Sequence, residues 1–399
     1  MLSSYDILIV GAGPAGCAAA YDLARAGKRV LLLDKRNFPR HKACACGLTR
    51  KTLDALRYSV DPVVERVCHE IVLQQNSAVA KHREVRVRTR NPICAMAVRE
   101  RFDKFCLQQT LVAGRDGGSV TLRKIEGIAA VREFAAHVEV DIATSEGAET
   151  LRAAVVIGAD GSNGQMRRLV QGHDGAEPEW YTKGFALEAM IPFAMLPAAL
   201  PQGDARHDLV FDFAPLPGGY GWLFPKGDHI NIGVGAFAPS DDASDARLKQ
   251  VTRALLAEYT RHKLGVDIAA VGAQVTGQYL GMGGTAYVPR GRVLLVGDAA
   301  GLVDPLTGEG IHSALVSGQA AATAVLRGES DVAAAYAREL RPLQETLAFS
   351  DRAARAFYAE PERGFRVMRT PVLRGLVLKT YADGLPHTKL LGRLARVVA

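Results

Sequence analysis

The chain has 399 residues, 48% of them hydrophobic, and a formal net charge of +7, apolar content that suits a large core in two domains or one elaborated one. No apolar run approaches the roughly 18 residues of a spanning helix, and the first strand begins within five residues, so the expectation is a cytoplasmic protein without a signal peptide. Six scattered cysteines fit a reducing compartment, and Cys44-Ala-Cys46 has no CxxC or HxxxH partner, so no metal is expected.

In chain order, Asp6–Val10 reads as a buried strand, Gly11-Ala-Gly-Pro-Ala-Gly16 as a tight turn, Cys17–Ala26 as an Ala-rich helix, and Arg29–Leu33 as a second buried strand ending at Asp34. That is one βαβ unit around a GxGxxG turn. Gly11 permits the turn, Gly13 lets backbone approach a pyrophosphate, and Gly16 lets the helix pack on the strand. Pro14 and Ala15 complete this phosphate-binding turn, and Asp34, followed by Lys35, is placed to accept hydrogen bonds from an adenosine ribose.

Lys35–Thr49 is too polar for a strand and too broken by Pro39 and Gly47 for a helix. A helix around Arg50–Leu56 follows, then strands at Cys68–Gln74 and Glu84–Thr89, a turn at Asn91-Pro92 and a strand at Ile93–Val98. Phe102–Ala113 is expected to be a helix, with Phe102, Phe105, Cys106 and Val112 on its apolar face. Strands Thr121–Ile125 and His137–Ile142 lead to Ala153–Gly161, a buried strand with a glycine turn at the end where ligands bind in open α/β sheets. Tyr181–Val288, rich in short strands and Gly/Pro turns, reads as a mainly antiparallel sheet with one helix near Ala246–His262. Arg292–Val296 is a buried strand ending at Gly297-Asp298, and Glu309–Arg327 and Val332–Tyr358 are long helices.

Three of these pieces converge on one ligand. The Gly11–Gly16 turn takes a pyrophosphate, Asp298 lies where a carboxylate binds a sugar-like hydroxyl chain, and Pro305-Leu-Thr-Gly-Glu-Gly-Ile311 starts a helix. The amides of that start, at Gly308, Gly310 and Ile311, would face an anion. Reduced flavin carries negative charge near N1 and O2, so an elongated dinucleotide with its redox ring there fits FAD better than NAD.

Gly-Ala-Gly-Pro-Ala-Gly with Asp34, Gly158-Ala-Asp-Gly161, and Gly297-Asp-Ala-Ala-Gly301 followed by Gly308-Glu-Gly-Ile311 resemble the three signatures of flavoproteins with the p-hydroxybenzoate-hydroxylase-like fold. Within that group the chain resembles the geranylgeranyl reductase family. The residues that carry this are Phe38-Pro-Arg-His-Lys-Ala-Cys-Ala-Cys-Gly-Leu48 and Pro217-Gly-Gly-Tyr-Gly-Trp-Leu-Phe-Pro225, the latter matching PxxYxWxFP at every fixed position. The resemblance covers residues 5–330 and implies an α/β fold: a Rossmann-type FAD-binding domain, an inserted mainly antiparallel β substrate domain and a helical C-terminal tail. The expected division is 1–60, 91–178 and 286–330 for FAD, 61–90 and 179–285 for the substrate sheet, and 331–399 for the tail.

The activity implied is FAD-dependent saturation of C=C bonds in a polyprenyl chain carried by a lipid, quinone or chlorophyll-type ester. Arg99 matches a family arginine against the cofactor, and Ile125 would line the adenine side. Cys44 matches the cysteine of a Lys-Pro-Cys-Gly-Gly-Gly-like loop, although Ala43 replaces the proline and Ala45-Cys46 replace two glycines. Cys46 and Gly47 belong to the same flavin loop, where a Cys44–Cys46 disulfide would close a strained ring. Tyr220, Trp222 and Phe224 alternate along a strand and would form an apolar wall beside the ring, with Tyr220 and Trp222 as catalytic candidates beside Cys44. Cys17, Cys68, Cys94 and Cys106 read as core residues, His41, His229 and His312 as packing or loop residues, and Asp304 and Glu309 as turn and capping residues.

Two rival readings use the same cofactor: a monooxygenase or halogenase of this fold, and an electron-transfer or redox-sensing flavoprotein. The reductant is open among NADPH, ferredoxin and a quinol. Nearly all the excess charge lies in Ser350–Ala399, with ten Lys/Arg against four acids. Within it Thr388–Val398 reads as a basic amphipathic helix suited to an anionic membrane surface, with packing on the domain or on a second subunit as the alternative; nucleic acid is not an expected partner.

Overall fold

The computed structural model describes residues 5–75, 83–173, 175–200, 209–213, 215, 218–236 and 245–384. Thr388–Val398 therefore lies outside the described residues, as does Pro217 of the aromatic motif.

The four strands read as buried apolar runs form one parallel sheet, in the order Val293–Leu295, Val155–Gly158, Ile7–Val10, Arg29–Asp34, and the mostly exposed Ser119–Lys124 adds an edge beside Arg29–Asp34. Their burial on both faces explains why they are apolar without alternation. On one face lies the helix Pro14–Arg25, which starts three residues earlier than expected because Pro14 supplies a preset φ and an amide-free first turn. Its approach is as close as backbone permits. A Cβ on Gly16 would stand 1.9 Å from the Gly11 carbonyl oxygen, and one on Gly318 of the helix Ile311–Leu326 would stand 2.2 Å from the Ala15 carbonyl oxygen. The two helices cross through these small residues and bring Pro14 and Ile311 to the same end of the sheet.

A three-stranded antiparallel meander, Gly127–Glu133, Val138–Thr144 and Gly147–Ala153, feeds into the strand Val155–Gly158. Its first and third strands alternate too weakly in hydrophobicity to be read from sequence. The helix expected at Phe102–Ala113 runs instead from Arg99 to Leu111, so Val112 falls past its end and is 77% exposed.

The second large sheet has seven strands in the order Val275–Met282, Thr182–Pro192, His229–Ala236, Gly219–Pro225, Leu209–Asp212, Glu70–Gln75, Arg83–Arg88. All neighbours are antiparallel except Leu209–Asp212 with Glu70–Gln75, which run parallel. One face carries the helix Asp245–Leu264, tied to the sheet by the buried pair Lys263 Nζ–Asp212 Oδ2 at 2.6 Å. The other face carries the aromatic residues. Against it pack two short helices, Pro361–Arg369 and Pro371–Asp383, through Phe365, Met368, Leu378 and Ala382. Helices of 9 and 13 residues are marginal in isolation. Their apolar burial, roughly 1.5–3 kcal/mol for each large side chain, outweighs the ~0–1 kcal/mol of the surface pair Arg83–Glu362.

A small antiparallel sheet joins Gly47–Thr49, Cys94–Ala97 and Val64–Cys68. The strand at Gly47–Thr49 departs from the expected loop, because Leu48 and Thr49 are buried against Cys94–Ala97.

Candidate functional site

At the first turn, Gly11 has φ +108°, and a Cβ there would meet the Ala159 carbonyl at 2.2 Å. Gly13 is different: a Cβ there would meet nothing of the chain nearer than the Arg40 guanidinium at 3.5 Å. Packing therefore does not demand glycine at Gly13, whereas a phosphate group seated on the turn would. Asp34 Oδ2 accepts from the Ala12 amide and Oδ1 from the Arg36 amide, both at 2.8 Å, leaving each oxygen a lone pair for a ribose. Lys35 is exposed, with Nζ 2.5 Å from Gln165 Oε1. Ile125 is buried in the core, its amide on the Asp34 carbonyl oxygen at 2.9 Å.

From this turn a cleft of about 1030 Å³, partly open to solvent, runs between the parallel sheet and the aromatic face. It gathers Pro14, Cys44, Cys46, Gly47, Arg99, Tyr220, Trp222, Asp298, Gly308, Gly310 and Ile311. Gly11, Gly13, Ala15, Gly16, Asp34, Lys35 and Ile125 do not line it and stay at the dinucleotide end. Both helix N-termini, at Pro14 and at Ile311, border the cleft, so two sets of unpaired amides and two positive dipole ends meet there. The carboxylate of Asp298 lies at the second of them, 3.2 Å from where a Cβ on Gly310 would be. A glycine cradle at the start of the helix Pro14–Arg25, with the start of the helix Ile311–Leu326 across the cleft from it, fits an elongated dinucleotide.

The turns that carry these groups are pinned by residues absent from the motifs. Arg167, fully buried, donates to the Ser162 and Ala299 carbonyl oxygens, each at 3.2 Å, and pairs with Glu177. Tyr181 Oη donates to Ser162 and Asp298 carbonyl oxygens. Together they lock the second signature to the third. Asp304 accepts the Leu306 and Thr307 amides and the Ser350 hydroxyl, shaping the turn before Gly308. Glu309 accepts from Thr49 and Thr52 and pairs with Lys51 Nζ at 2.6 Å. Burial pushes its carboxyl up, but Lys51 and these bonds hold it below the usual range.

Arg99 is held bidentate by Asp103, at 2.8 and 2.9 Å, and Asp103 also pairs with Arg40 at 3.0 Å. Burial opposes charge on Asp103, yet the two guanidiniums keep its carboxyl below the usual range. Beside Arg99, Lys42 is pushed down by burial and by that neighbouring cation.

The Cys44 loop is clamped from three sides. Glu188 Oε1 accepts the Cys44 amide at 2.9 Å, Lys226 Nζ donates to the Ala45 carbonyl oxygen at 2.5 Å, and the Ala97 amide donates to the Cys46 carbonyl oxygen at 3.1 Å. Cys46 has φ +46°, the left-handed backbone that glycine adopts most readily, so the loop keeps a glycine-like path where the residue departs from the family pattern. All six cysteines are free. Burial drives the Cys46 thiol up and keeps it protonated, whereas Cys44 is half-buried at the cleft with its sulfur accepting the Cys46 amide at 3.3 Å.

On the seven-stranded sheet, one cross-strand row runs Phe211, Trp222, Gly233, Glu188. Trp222 lies over Gly233, where a Cβ would be 2.0 Å from its ring, and its Nε1 donates to Asn231 Oδ1 at 2.6 Å. The next row is Tyr220, Gly235, Ala186, Gln278. The face is thus an aromatic wall, with Ala186, Glu188 and Gln278 bordering the cleft beside it, and Tyr381 of the last described helix covers it. The Tyr220 hydroxyl donates to the Thr307 carbonyl oxygen. Sequence reasoning missed Glu188, Lys226 and Asn231; the signal was a lone acid in the apolar run Phe185-Ala-Leu-Glu-Ala-Met-Ile191. Among the described residues, Glu65, Asp228 and His229 bring ligand atoms within 4.8 Å of one another, but Glu65 already accepts the Gly227 amide and pairs with Arg101.

Gly13→Val should abolish FAD retention by filling the phosphate approach; the flavin absorbance of the purified variant tests this, and full stoichiometry would refute it. His312, at the start of the helix Ile311–Leu326, is depressed to about 4 by burial and by Lys51. Its folded value lies below its unfolded value, so the unfolded chain takes the proton first as pH falls. Stability at this residue is complete above about pH 6.5 and should fall by up to about 3 kcal/mol as pH drops to about 4. Urea denaturation of wild type and His312→Gln across that window should show a smaller loss in the variant.

A family model described as FAD binding domain matches residues 4–347. The chain is 30% identical to digeranylgeranylglycerophospholipid reductase 2 of Methanopyrus kandleri, over 83% of this chain and 80% of that protein. It is 32% identical to geranylgeranyl diphosphate reductase of Rhodobacter capsulatus, over 81% and 75% respectively. A geranylgeranyl bacteriochlorophyll reductase-like protein of Thermoplasma acidophilum superposes with a TM-score of 0.75 at 20% identity, covering 98% of this chain and 100% of that one. The chain belongs to the geranylgeranyl reductase family of FAD-dependent oxidoreductases.

Proposed function

We propose that this enzyme saturates isolated C=C bonds of a geranylgeranyl-type chain carried by a lipid, a quinone or a chlorophyll-like group. The observation that carries this reading is the trough on the aromatic face. Ala186 and Leu280 line it, Trp222 (seated over Gly233), Tyr220 and Phe224 wall it, and Tyr381 covers it, a shape and polarity suited to a linear, methyl-branched run of isoprene units.

An unactivated alkene needs a hydride on one carbon and a proton on the other, in a site from which water is kept. Bound FAD supplies the hydride chemistry. The residues of the chain supply position and dryness. The two helix N-termini hold negative charge at one side of the cleft, and Arg99, fixed by Asp103, adds a cation that cannot swing away. The polar tips of Tyr220 and Trp222 are bonded to Thr307 and Asn231, so the wall offers the alkene carbon surface only. Cys44 faces the cleft from its clamped loop as a thiol beside the reacting bond.

The test is anaerobic: reduce the purified flavoprotein with dithionite, add a geranylgeranyl lipid, and follow flavin reoxidation with mass spectrometry of the lipid. Reoxidation with two mass units gained per double bond is expected; flavin that stays reduced until oxygen enters would overturn the reading and favour oxygenase chemistry. Under the same conditions Cys44→Ala should keep FAD and lose turnover, because the clamped loop that borders the cleft loses its side chain there; an undiminished rate would make Cys44 a loop residue.

The substrate is a membrane lipid under this reading, and the basic amphipathic segment Thr388–Val398 suits an anionic bilayer. No helix among the described residues is long and apolar enough to cross a membrane. Deleting 388–399 should lower sedimentation with anionic liposomes more than activity on detergent-dispersed substrate; unchanged sedimentation removes the membrane role.

A further inference from the structure

We infer that Glu188 is the acid that delivers the proton to the substrate alkene. The inference rests on the function proposed above and names a group for its second half-step.

Glu188 stands on the cleft face of the strand Thr182–Pro192, in the row that continues from Trp222 across Gly233. Because Gly233 has no side chain, the Trp222 indole lies over it, and the Glu188 carboxyl stands at the edge of the same trough. The residue is 3% exposed. Its Oε1 accepts the Cys44 amide at 2.9 Å, and the Asn231 side chain is a second partner. Among the described residues it forms no ion pair. The charged or titratable groups that face it are Lys226 from the end of the aromatic strand, His41 from the loop, and Cys44 itself. Lys226 donates to the Ala45 carbonyl oxygen, and its pull on Glu188 is outweighed by burial.

Glu309 lines the same cleft and has the opposite surroundings, with Lys51 at 2.6 Å and two threonine hydroxyls on its carboxylate. Burial without a paired cation raises Glu188, whereas Lys51 keeps Glu309 ionised. Two carboxyls driven apart in one cleft mark the acid. The Tyr220 hydroxyl is the other candidate on the wall, but its proton is committed to the Thr307 carbonyl oxygen.

One alkene carbon receives a hydride, two electrons with one hydrogen, from reduced flavin. The π pair forms a C–H bond at the other carbon with the Glu188 proton as the carboxyl O–H bond breaks. The resulting carboxylate takes a proton from solvent after product leaves.

The variant Glu188→Gln keeps an oxygen acceptor for the Cys44 amide and removes the acid. Infrared spectroscopy of the full-length protein at pH 7 should show a protonated carboxyl stretch, sensitive to D2O, that the variant lacks; identical spectra would overturn the inference. On a substrate that wild type saturates, the variant should keep FAD and its rate of reduction by dithionite yet lose saturation by about 100-fold. The wild-type rate should fall as pH rises past the point where the infrared band disappears, and the residual rate of the variant should not follow it. Failure of the function itself shows in the wild type alone, as no saturation of any geranylgeranyl chain. Saturation by wild type with an equal rate in Glu188→Gln sinks only the role of Glu188.

Discussion

The 1.9 Å between the Gly11 carbonyl oxygen and the place a Cβ would take on Gly16 sets the geometry of the cofactor end. Any side chain at Gly16 would lift the helix Pro14–Arg25 from its strand. The same closeness recurs where Gly318 meets the Ala15 backbone, so the helix Ile311–Leu326 is held at the same depth. Segments almost three hundred residues apart thereby present their N-terminal amides to one cleft. The positive dipole ends at that side of the cleft are a product of backbone contact.

Charge elsewhere in the cleft is handled by pairing. Arg99, Asp103 and Arg40 form a buried group in which two cations share one carboxylate, and Glu309 has Lys51. Breaking a buried pair of this kind costs roughly 3–5 kcal/mol, several times a surface pair, so these groups act as fixed dipoles during turnover. Glu188 and Lys226 are handled differently, each buried and each bonded to the backbone of the Cys44 loop. Their ionisation and the shape of that loop are therefore one variable.

The parts legible in the sequence were those where backbone chemistry leaves a mark. Gly11 needs its positive φ, Gly16 its missing Cβ, and the parallel strands their unbroken apolar runs, so the βαβ unit, the α/β class and the FAD cofactor could be read directly. The alternation of Tyr220, Trp222 and Phe224 likewise announced one face of a sheet. The start at Pro14 was missed because the turn motif overlaps the helix's first turn. The strands at Gly127–Glu133 and Gly147–Ala153 were missed because too few of their side chains are buried to leave an alternating pattern. Arg167, Lys226 and Asn231 left no local pattern at all, since their importance comes from carbonyl groups and side chains supplied by distant strands. Glu188 alone broke a pattern, as an acid inside an apolar run.

The docking of Pro361–Arg369 and Pro371–Asp383 on the aromatic face bears on how the molecule is made. A ribosome releases the wall of Phe211, Tyr220, Trp222 and Phe224 well before the helices that cover it, and the parallel sheet lacks its edge strand until Val293–Leu295 emerges. For that interval the nascent chain holds an open apolar trough and an incomplete sheet, the two features most prone to off-pathway association. Until the helices that cover that trough arrive, the chain is itself a client for whatever in the cell binds exposed hydrocarbon.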